Sequence, residues 1–172
     1  MIFRFCPQCK SDKISYSRKK KYSCSKCGWV YFQNVAAAVG VIFEYQDKIL
    51  FIVRNKIPQK GKLDLPGGFL DAGESAEQAA RREIREELDI ELKNLRYLGS
   101  YPNKYDYGGI TYITCDIIFI SQISELPDNF NEEIAAIKLL KISEVDLAQI
   151  AFDSVKMAIS DYIKGRQNHP AM

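Results

Sequence analysis

The spacing of apolar and polar side chains divides the chain into segments of different period. Residues 35–43, 48–54 and 110–120 are nearly continuous apolar runs, and 95–101 is a shorter one. Runs of this length, bounded by turn residues, predict strands. Residues 134–140 are a further apolar run. After Ser75 the period changes: Ala76, Ala80, Ile84 and Leu88 recur every fourth residue, which predicts a helix packed along one stripe. Ser75 is a good N-cap, and Gln78 three residues on completes a capping box. Pro66-Gly67-Gly68 marks a turn just before it. A second helical pattern runs over 152–163 (Phe152, Val155, Ile159, Tyr162), and Ser143-Glu144-Val145-Asp146 opens a helical region ahead of it. Near the start, Ile14, Tyr16 and Tyr22 alternate enough for a short hairpin within 13–23.

Composition narrows the class. The chain has 172 residues, 47% of them hydrophobic and 12% aromatic, enough for one ordinary domain with a real core and room for a small appendage. Disorder as the main state is excluded. No run of 18 apolar residues exists, so no membrane span is expected. The opening MIFRFCPQCK has no apolar stretch of the kind a signal peptide needs. Five cysteines without such a signal point to a reducing, cytoplasmic setting, where thiols more often hold metal than pair. The formal charge of +2 hides a split. Residues 1–34 carry eight basic side chains against one acid, Asp12, for +7; residues 35–172 carry 16 basic and 21 acidic ones, for −5. The shift places a domain boundary near Gln33-Asn34, giving units 1–34 and 35–172.

Four of the five cysteines lie in the basic unit, as Cys6-Pro-Gln-Cys9 and Cys24-Ser-Lys-Cys27-Gly28. Two such hooks at this separation can deliver four thiolates to one Zn²⁺ in a zinc ribbon, the alternative being four unrelated reduced thiols. A 34-residue unit buries too little apolar surface to fold alone, so the metal supplies much of its stability. Arg18-Lys19-Lys20-Lys21 falls at the hairpin tip. It reads either as a solvated turn or as a place to hold a phosphate backbone, with Tyr16 and Tyr22 for stacking.

On the first helix, Glu83, Glu86 and Glu87 stand at i, i+3 and i+4 and share one face. Like charges so placed weaken a helix, although Arg82 and Arg85 offset part of the cost. Hard divalent cations take carboxylate and carbonyl oxygens. From spacing alone, a metal site and an ordinary charged face fit equally. The stretch Gly68…Glu74…Arg82-Glu83-Ile84-Arg85-Glu86-Glu87-Leu88-Asp89-Ile90 resembles the signature of the Nudix hydrolases at every charged position. It departs once, with Asp89 where the family has a glycine; Asp enters the left-handed turn less readily.

The resemblance implies an α/β fold, a Nudix α/β/α sandwich around a mixed sheet preceded by the zinc ribbon. It implies Glu83, Glu86 and Glu87 as Mg²⁺ or Mn²⁺ ligands, completed by the carbonyl of Gly67 or Gly68. Arg82 and Glu74 match the family's supporting ion pair. The reaction implied is water attack at phosphorus of a diphosphate linkage. His169 lies fourth from the end and is a poor candidate base. Cys115 reads as a buried strand residue and a poor nucleophile. A carboxylate must take the proton: Glu86, Glu87, or Glu132 or Glu133 before the run 134–140, which read equally as a solvated loop.

A four-cysteine ribbon before such a domain is similar to the NADH pyrophosphatase branch, which includes removers of NAD caps from RNA. That branch's Ser-Gln-Pro-Trp-Pro-Phe-Pro-x-Ser segment is absent; Ser100-Tyr101-Pro102-Asn103-Lys104-Tyr105-Asp106-Tyr107 stands there. Tyr101, Tyr105 and Tyr107, with Asn103, suit either a base-stacking substrate site or a packed hairpin. The function expected is hydrolysis of a nucleoside diphosphate linked to another moiety (ADP-ribose, NAD(H) or a related dinucleotide). The alternatives are a remover of NAD caps, or a non-catalytic protein binding nucleotides or RNA through the basic ribbon. A nucleotide-type small molecule is the expected partner, nucleic acid a less favoured one, and a homodimer is possible by analogy with that branch.

Overall fold

A computed structural model describes residues 3–18 and 20–168, with the backbone alone for residues 167 and 168. Lys19 of the basic turn and His169 lie outside the described residues. The chain forms two compact units, Met1–Val35 and Ala36–Met172. No helix among the described residues is long and apolar enough to cross a membrane.

In the first unit, β1 (Ile14–Ser17) and β2 (Lys21–Cys24) make the expected hairpin, and β3 (Val30–Phe32) adds a third antiparallel strand. At three residues, β3 is too short for alternation to announce it. Tyr22 is fully buried, with Tyr16 at 4.4 Å and Phe3 at 5.0 Å between ring centroids. Tyr22 is therefore the core of this unit and not a ring offered to a nucleic-acid base.

The second unit is built on a six-stranded mixed sheet. Its centre is β4 (Ala36–Tyr45), which runs parallel to β8 (Ile110–Gln122) along its length. β5 (Lys48–Arg54) folds back on the end of β4 and carries β6 (Leu63–Asp64) and β9 (Ile134–Lys141). β7 (Arg96–Tyr107) closes the other side against β8. Side chains of a strand alternate between faces, and here both faces are covered. Val41, Phe43, Leu50, Ile52 and Phe119 pack with Ala79, Ala80, Ile84 and Leu88 of α1 (Ala76–Leu88). Ile42, Phe51, Ile118 and Ile120 pack with Val155, Ile159 and Tyr162 of α2 (Asp153–Asn168). Two buried faces are why these strands read as continuous apolar runs. The result is the three-layer α/β/α sandwich.

Three expectations need correction. The strand over 95–101 extends to Tyr107, because its polar second half pairs with β8 (Tyr105 opposite Tyr112, Tyr107 opposite Ile110). The region after Ser143 is not a helix start but two 3-10 turns, Ile142–Glu144 and Leu147–Gln149. Cys115 is half-buried, not buried.

One feature of the sheet positions the site. β4 pairs with β5 only through Phe43–Tyr45. Ahead of that stretch, the edge of β4 takes up the glycine loop instead. The N–H of Val39 donates to Gly68 O (2.8 Å), that of Val41 to Pro66 O (3.0 Å), and that of Leu70 to Ala37 O (3.1 Å).

Candidate active site

The helix that carries the acids is fixed at both ends. The Ser75 side chain accepts from the Gln78 N–H, and Gln78 Oε1 accepts from the Ser75 N–H. At the other end Asp89 adopts the left-handed conformation, φ 54° and ψ 33°, its N–H donating to Arg85 O. The family's glycine position is thus filled by a residue that can take the same turn.

Arg82 ties this helix to the glycine loop. Its Nε and Nη2 donate to the two oxygens of Glu74 (2.7 and 3.0 Å), and Nη2 also to Phe69 O (2.9 Å). Its Nη1 donates to Glu83 (2.8 Å) and more loosely to Glu86 (3.3 Å). The Arg82 hydrogen bonds, with the Asp71 N–H, hold the Glu74 carboxyl down at about 2. Glu74 and Arg82 therefore meet as a two-point ion pair.

The three helix glutamates have different surroundings. Glu87 is buried, 6% exposed, and accepts a hydrogen bond from the Gly67 N–H at 2.8 Å. Burial pushes its carboxyl up to about 8 against that hydrogen bond, and the charges of Glu83, Asp64 and Glu133 add to the push. Glu83 is half-buried and raised, first by burial, with Arg82 opposing and Glu86 and Glu133 repelling. Glu86 is the exposed member.

The glycines are required by contact. A Cβ on Gly67 would lie 2.2 Å from Val39 O, and one on Gly68 would lie 2.5 Å from the Glu83 carboxylate. The bare loop thus forms a cradle against Glu83, while a buried carboxylate without a hydrogen-bonded cation, Glu87, stands behind it. This is a donor set suited to a hard divalent ion. The three carboxylates are not drawn together: among the described residues, only the four cysteines bring three or more such groups to within 4.8 Å.

The cysteines fit a metal ion more directly. Cys6 and Cys27 Sγ are 3.6 Å apart, and Cys9 and Cys24 Sγ 3.7 Å. Four sulfurs at about 2.3 Å from Zn²⁺ in a tetrahedron stand roughly 3.8 Å from one another. Both hooks close the same way, the Lys10 N–H donating to Cys6 O and the Gly28 N–H to Cys24 O. Lys10 accepts a φ of 58° to do so.

Beside the glycine loop lies a cavity of about 330 Å³. Gly67, Gly68, Glu83 and Glu133 line it, with Asn103 and Tyr105 from β7. Glu133 lies near enough to Glu83 and Glu87 to raise both. Its loop is anchored to the helix by the Asn131 N–H on Glu87 O (3.0 Å), and its carboxylate pairs with Lys56. Glu132 is exposed and outside the cavity lining; only its carbonyl is engaged, by Asn55 Nδ2.

Of the tyrosines, only Tyr105 lines the cavity. Tyr101 is 6% exposed, packs in the α2-side core, and donates from its hydroxyl to Asp161 at 3.3 Å. Tyr107 is exposed at the tip of the β7–β8 hairpin and also outside the lining. Alternation put Tyr101, Asn103, Tyr105 and Tyr107 on one face of β7; the reach of the cavity along the strand selects the middle two.

Several residues of this cavity went unnoticed in the sequence. Arg54 and Asp64 form a buried ion pair at 2.8 Å. Burial pushes Asp64 up to about 6 against the pull of Arg54. Asp116 is buried and accepts from Thr114 (2.6 Å), Asn103 (3.1 Å) and Ser154 (2.6 Å). The available signal was a charge inside or at the end of an apolar strand run, since buried charges are retained only with partners.

A family model for the NUDIX domain matches residues 34–158. An ADP-ribose pyrophosphatase from Methanocaldococcus jannaschii is 33% identical over 153 residues, 87% of this chain and 85% of that protein. The NAD-capped RNA hydrolase NudC of Vibrio parahaemolyticus is 31% identical over 99 residues, 58% of this chain. The matched region is 38% of that relative's length. Among solved structures, a NUDIX hydrolase from Nitrosomonas europaea is similar with a TM-score of 0.75 at 26% identity, covering 97% of this chain and 94% of that one.

Proposed function

The chain belongs to the NUDIX family, and from that premise we propose that it cleaves the diphosphate linkage of a nucleoside diphosphate joined to a second moiety, as in ADP-ribose, NAD(H) or a related dinucleotide. The observation that carries this reading is the glycine cradle closed on Glu83, with buried Glu87 behind it, at the side of a cavity lined by Asn103 and Tyr105. The similarity to an ADP-ribose pyrophosphatase over most of both chains supports the substrate class.

In this reading Glu83, Glu86, Glu87 and the carbonyl of Gly67 or Gly68 hold Mg²⁺ or Mn²⁺. When bound, the ion neutralises charge on the phosphate oxygens and supplies an acidic water for attack at phosphorus. Arg82 and Glu74 keep the helix and loop in register, so the acids keep their places. Of the two loop acids, Glu133 lines the cavity and Glu132 does not, and Glu133 is assigned to take the proton. Tyr105 and Asn103 receive the organic part of the substrate. Cys6, Cys9, Cys24 and Cys27 hold a structural Zn²⁺ that stabilises the ribbon.

The test is a substrate panel on full-length protein with Mg²⁺ or Mn²⁺: NADH, NAD⁺, ADP-ribose, diadenosine polyphosphates, nucleoside triphosphates and NAD-capped RNA. Turnover of a diphosphate-linked nucleotide, lost in parallel in Glu86→Gln and Glu87→Gln, supports the proposal. No turnover of any member, with salt-sensitive RNA binding, refutes it in favour of a non-catalytic reader.

A further inference from the structure

We infer that Asn131 is a positioning residue, holding the carboxylate of Glu133 at the cavity wall in register with the acids of α1. The inference rests on the hydrolase reading and adds how the proton-accepting group is kept in place. Glu133 immediately precedes β9, where the pairing with β5 slips: Val53 stands opposite Ala136, but Arg54 stands opposite Ile134. One residue of β9 is thus extra, a bulge of the kind that re-aims a side chain. Its effect is visible in the core. Ile137 and Leu139 pack on the α1 side, and across the bulge it is the even-numbered Ile134 that does so. Side chains of a strand alternate between faces, so the slip turns Glu133 away from that core, and it lines the cavity.

A carboxylate that takes a proton has to stand within hydrogen-bond reach of the water it serves. Glu133 lies in a turn, so its backbone must be held by other parts of the chain. Its N–H donates to Asn131 Oδ1 at 3.0 Å, and its carbonyl accepts from the Asn55 N–H at 2.8 Å. Asn55 Nδ2 donates to the neighbouring Glu132 O at 2.9 Å. Asn131 has a second link, its own N–H donating to Glu87 O at 3.0 Å. One residue therefore spans from the main chain of the buried helix acid to the main chain of the cavity acid. Asn suits the place because its side chain closes a turn onto the backbone two residues on. The Lys56 ammonium also pairs with the Glu133 carboxylate, but both side chains are nearly half exposed, and an exposed pair fixes little. Of the two bonds to the Glu133 main chain, the one to Asn131 Oδ1 is the one that a side-chain substitution removes.

The experiment is steady-state kinetics on the full chain with Mg²⁺ and the panel member it turns over, with Mn²⁺ affinity by electron paramagnetic resonance alongside. Asn131→Ala should lower kcat by about five- to tenfold, the scale of one hydrogen bond, with KM and Mn²⁺ affinity unchanged. Asn131→Asp keeps an oxygen to accept the Glu133 N–H and should recover most of that loss. In a Glu133→Gln background, Asn131→Ala should cause no further loss, because it acts through that carboxylate. Should the alanine variant not fold, Asn131→Ser makes the same bond more weakly and should fall below Asn131→Asp in kcat; the reverse order overturns the proposal. Wild-type kcat in Asn131→Ala, an equal fold loss in both backgrounds, or a change confined to KM or Mn²⁺ affinity overturns it too and leaves the hydrolase reading standing. So does Glu133→Gln with wild-type kcat. A wild-type protein that turns over no member of the panel sinks the hydrolase reading, and the positioning role with it.

Discussion

Gly67 and Gly68 are adjacent and bare, yet replacing them with alanine should fail in different ways. At Gly67 the added Cβ meets a backbone atom, Val39 O, at 2.2 Å, in a residue with φ of 141°. A carbon–oxygen contact rests at roughly 3.3 Å or more, so the loop must retreat by about 1 Å. It is held where it is by the Val39 N–H on Gly68 O at 2.8 Å and the Val41 N–H on Pro66 O at 3.0 Å. A retreat of that size takes both beyond hydrogen-bonding range, at about 1 kcal/mol each. The backbone conformation itself costs an L-residue roughly 1–3 kcal/mol. Gly67→Ala should therefore lose about 3–5 kcal/mol of unfolding free energy in urea, and its melting temperature should fall by about 10 °C or more. At Gly68 the atoms nearest the Cβ belong to the carboxylate of Glu83, from 2.5 Å, the far end of a flexible side chain. Gly68→Ala should melt close to wild type and lose Mn²⁺ affinity, read by electron paramagnetic resonance, because Glu83 is turned out of the cradle. If Gly67→Ala stays within about 1 kcal/mol of wild type, or Gly68→Ala is the less stable of the two, the contact reasoning is wrong.

Glu87 is pushed up to about 8 from an ordinary 4.5. The folded protein then holds this proton more tightly than the unfolded chain, so the contribution is complete below pH 4.5 and is lost as pH rises toward 8. Glu87→Gln should raise the melting temperature of metal-free protein at pH 8 and leave it nearly unchanged at pH 4. An equal or lower melting temperature at pH 8 contradicts the assignment. Glu133→Gln should lower kcat by about 100-fold or more, the scale of general-base catalysis, while Glu132→Gln keeps wild-type kinetics; equal effects remove Glu133 from the proton-transfer role. The purified protein should carry one zinc per chain, displaced by a mercurial titrant. Cys9→Ala should lose it together with the NMR dispersion of residues 14–32, and a zinc-free protein with that dispersion intact rules the site out.

The acids, the glycine loop and the helix that joins them were legible in the order of residues, because they lie within one local stretch whose period, cap and charge spacing are properties of neighbours along the chain. The same holds for the two cysteine hooks, where each pair is closed by a turn of its own. What lay hidden depends on atoms far apart in sequence. The spacing of Glu83, Glu86 and Glu87 made them equivalent on one helix face. The loop laid along β4 set them apart, burying Glu87 on the Gly67 N–H and leaving Glu86 in solvent. Tyr101 and Tyr105 were indistinguishable by alternation, and only the position of α2 across β7 decided which enters the core and which the cavity. Arg54, Asp64 and Asp116 come from three strands, and nothing local marks them as neighbours. Burial and the repulsion between separated carboxylates exist only after the sheet has brought β5, β6 and β8 together. By itself the order of residues therefore determined the glutamate-bearing helix and the two cysteine hooks. The depth of each acid, and the cavity beside them, were decided by tertiary structure alone.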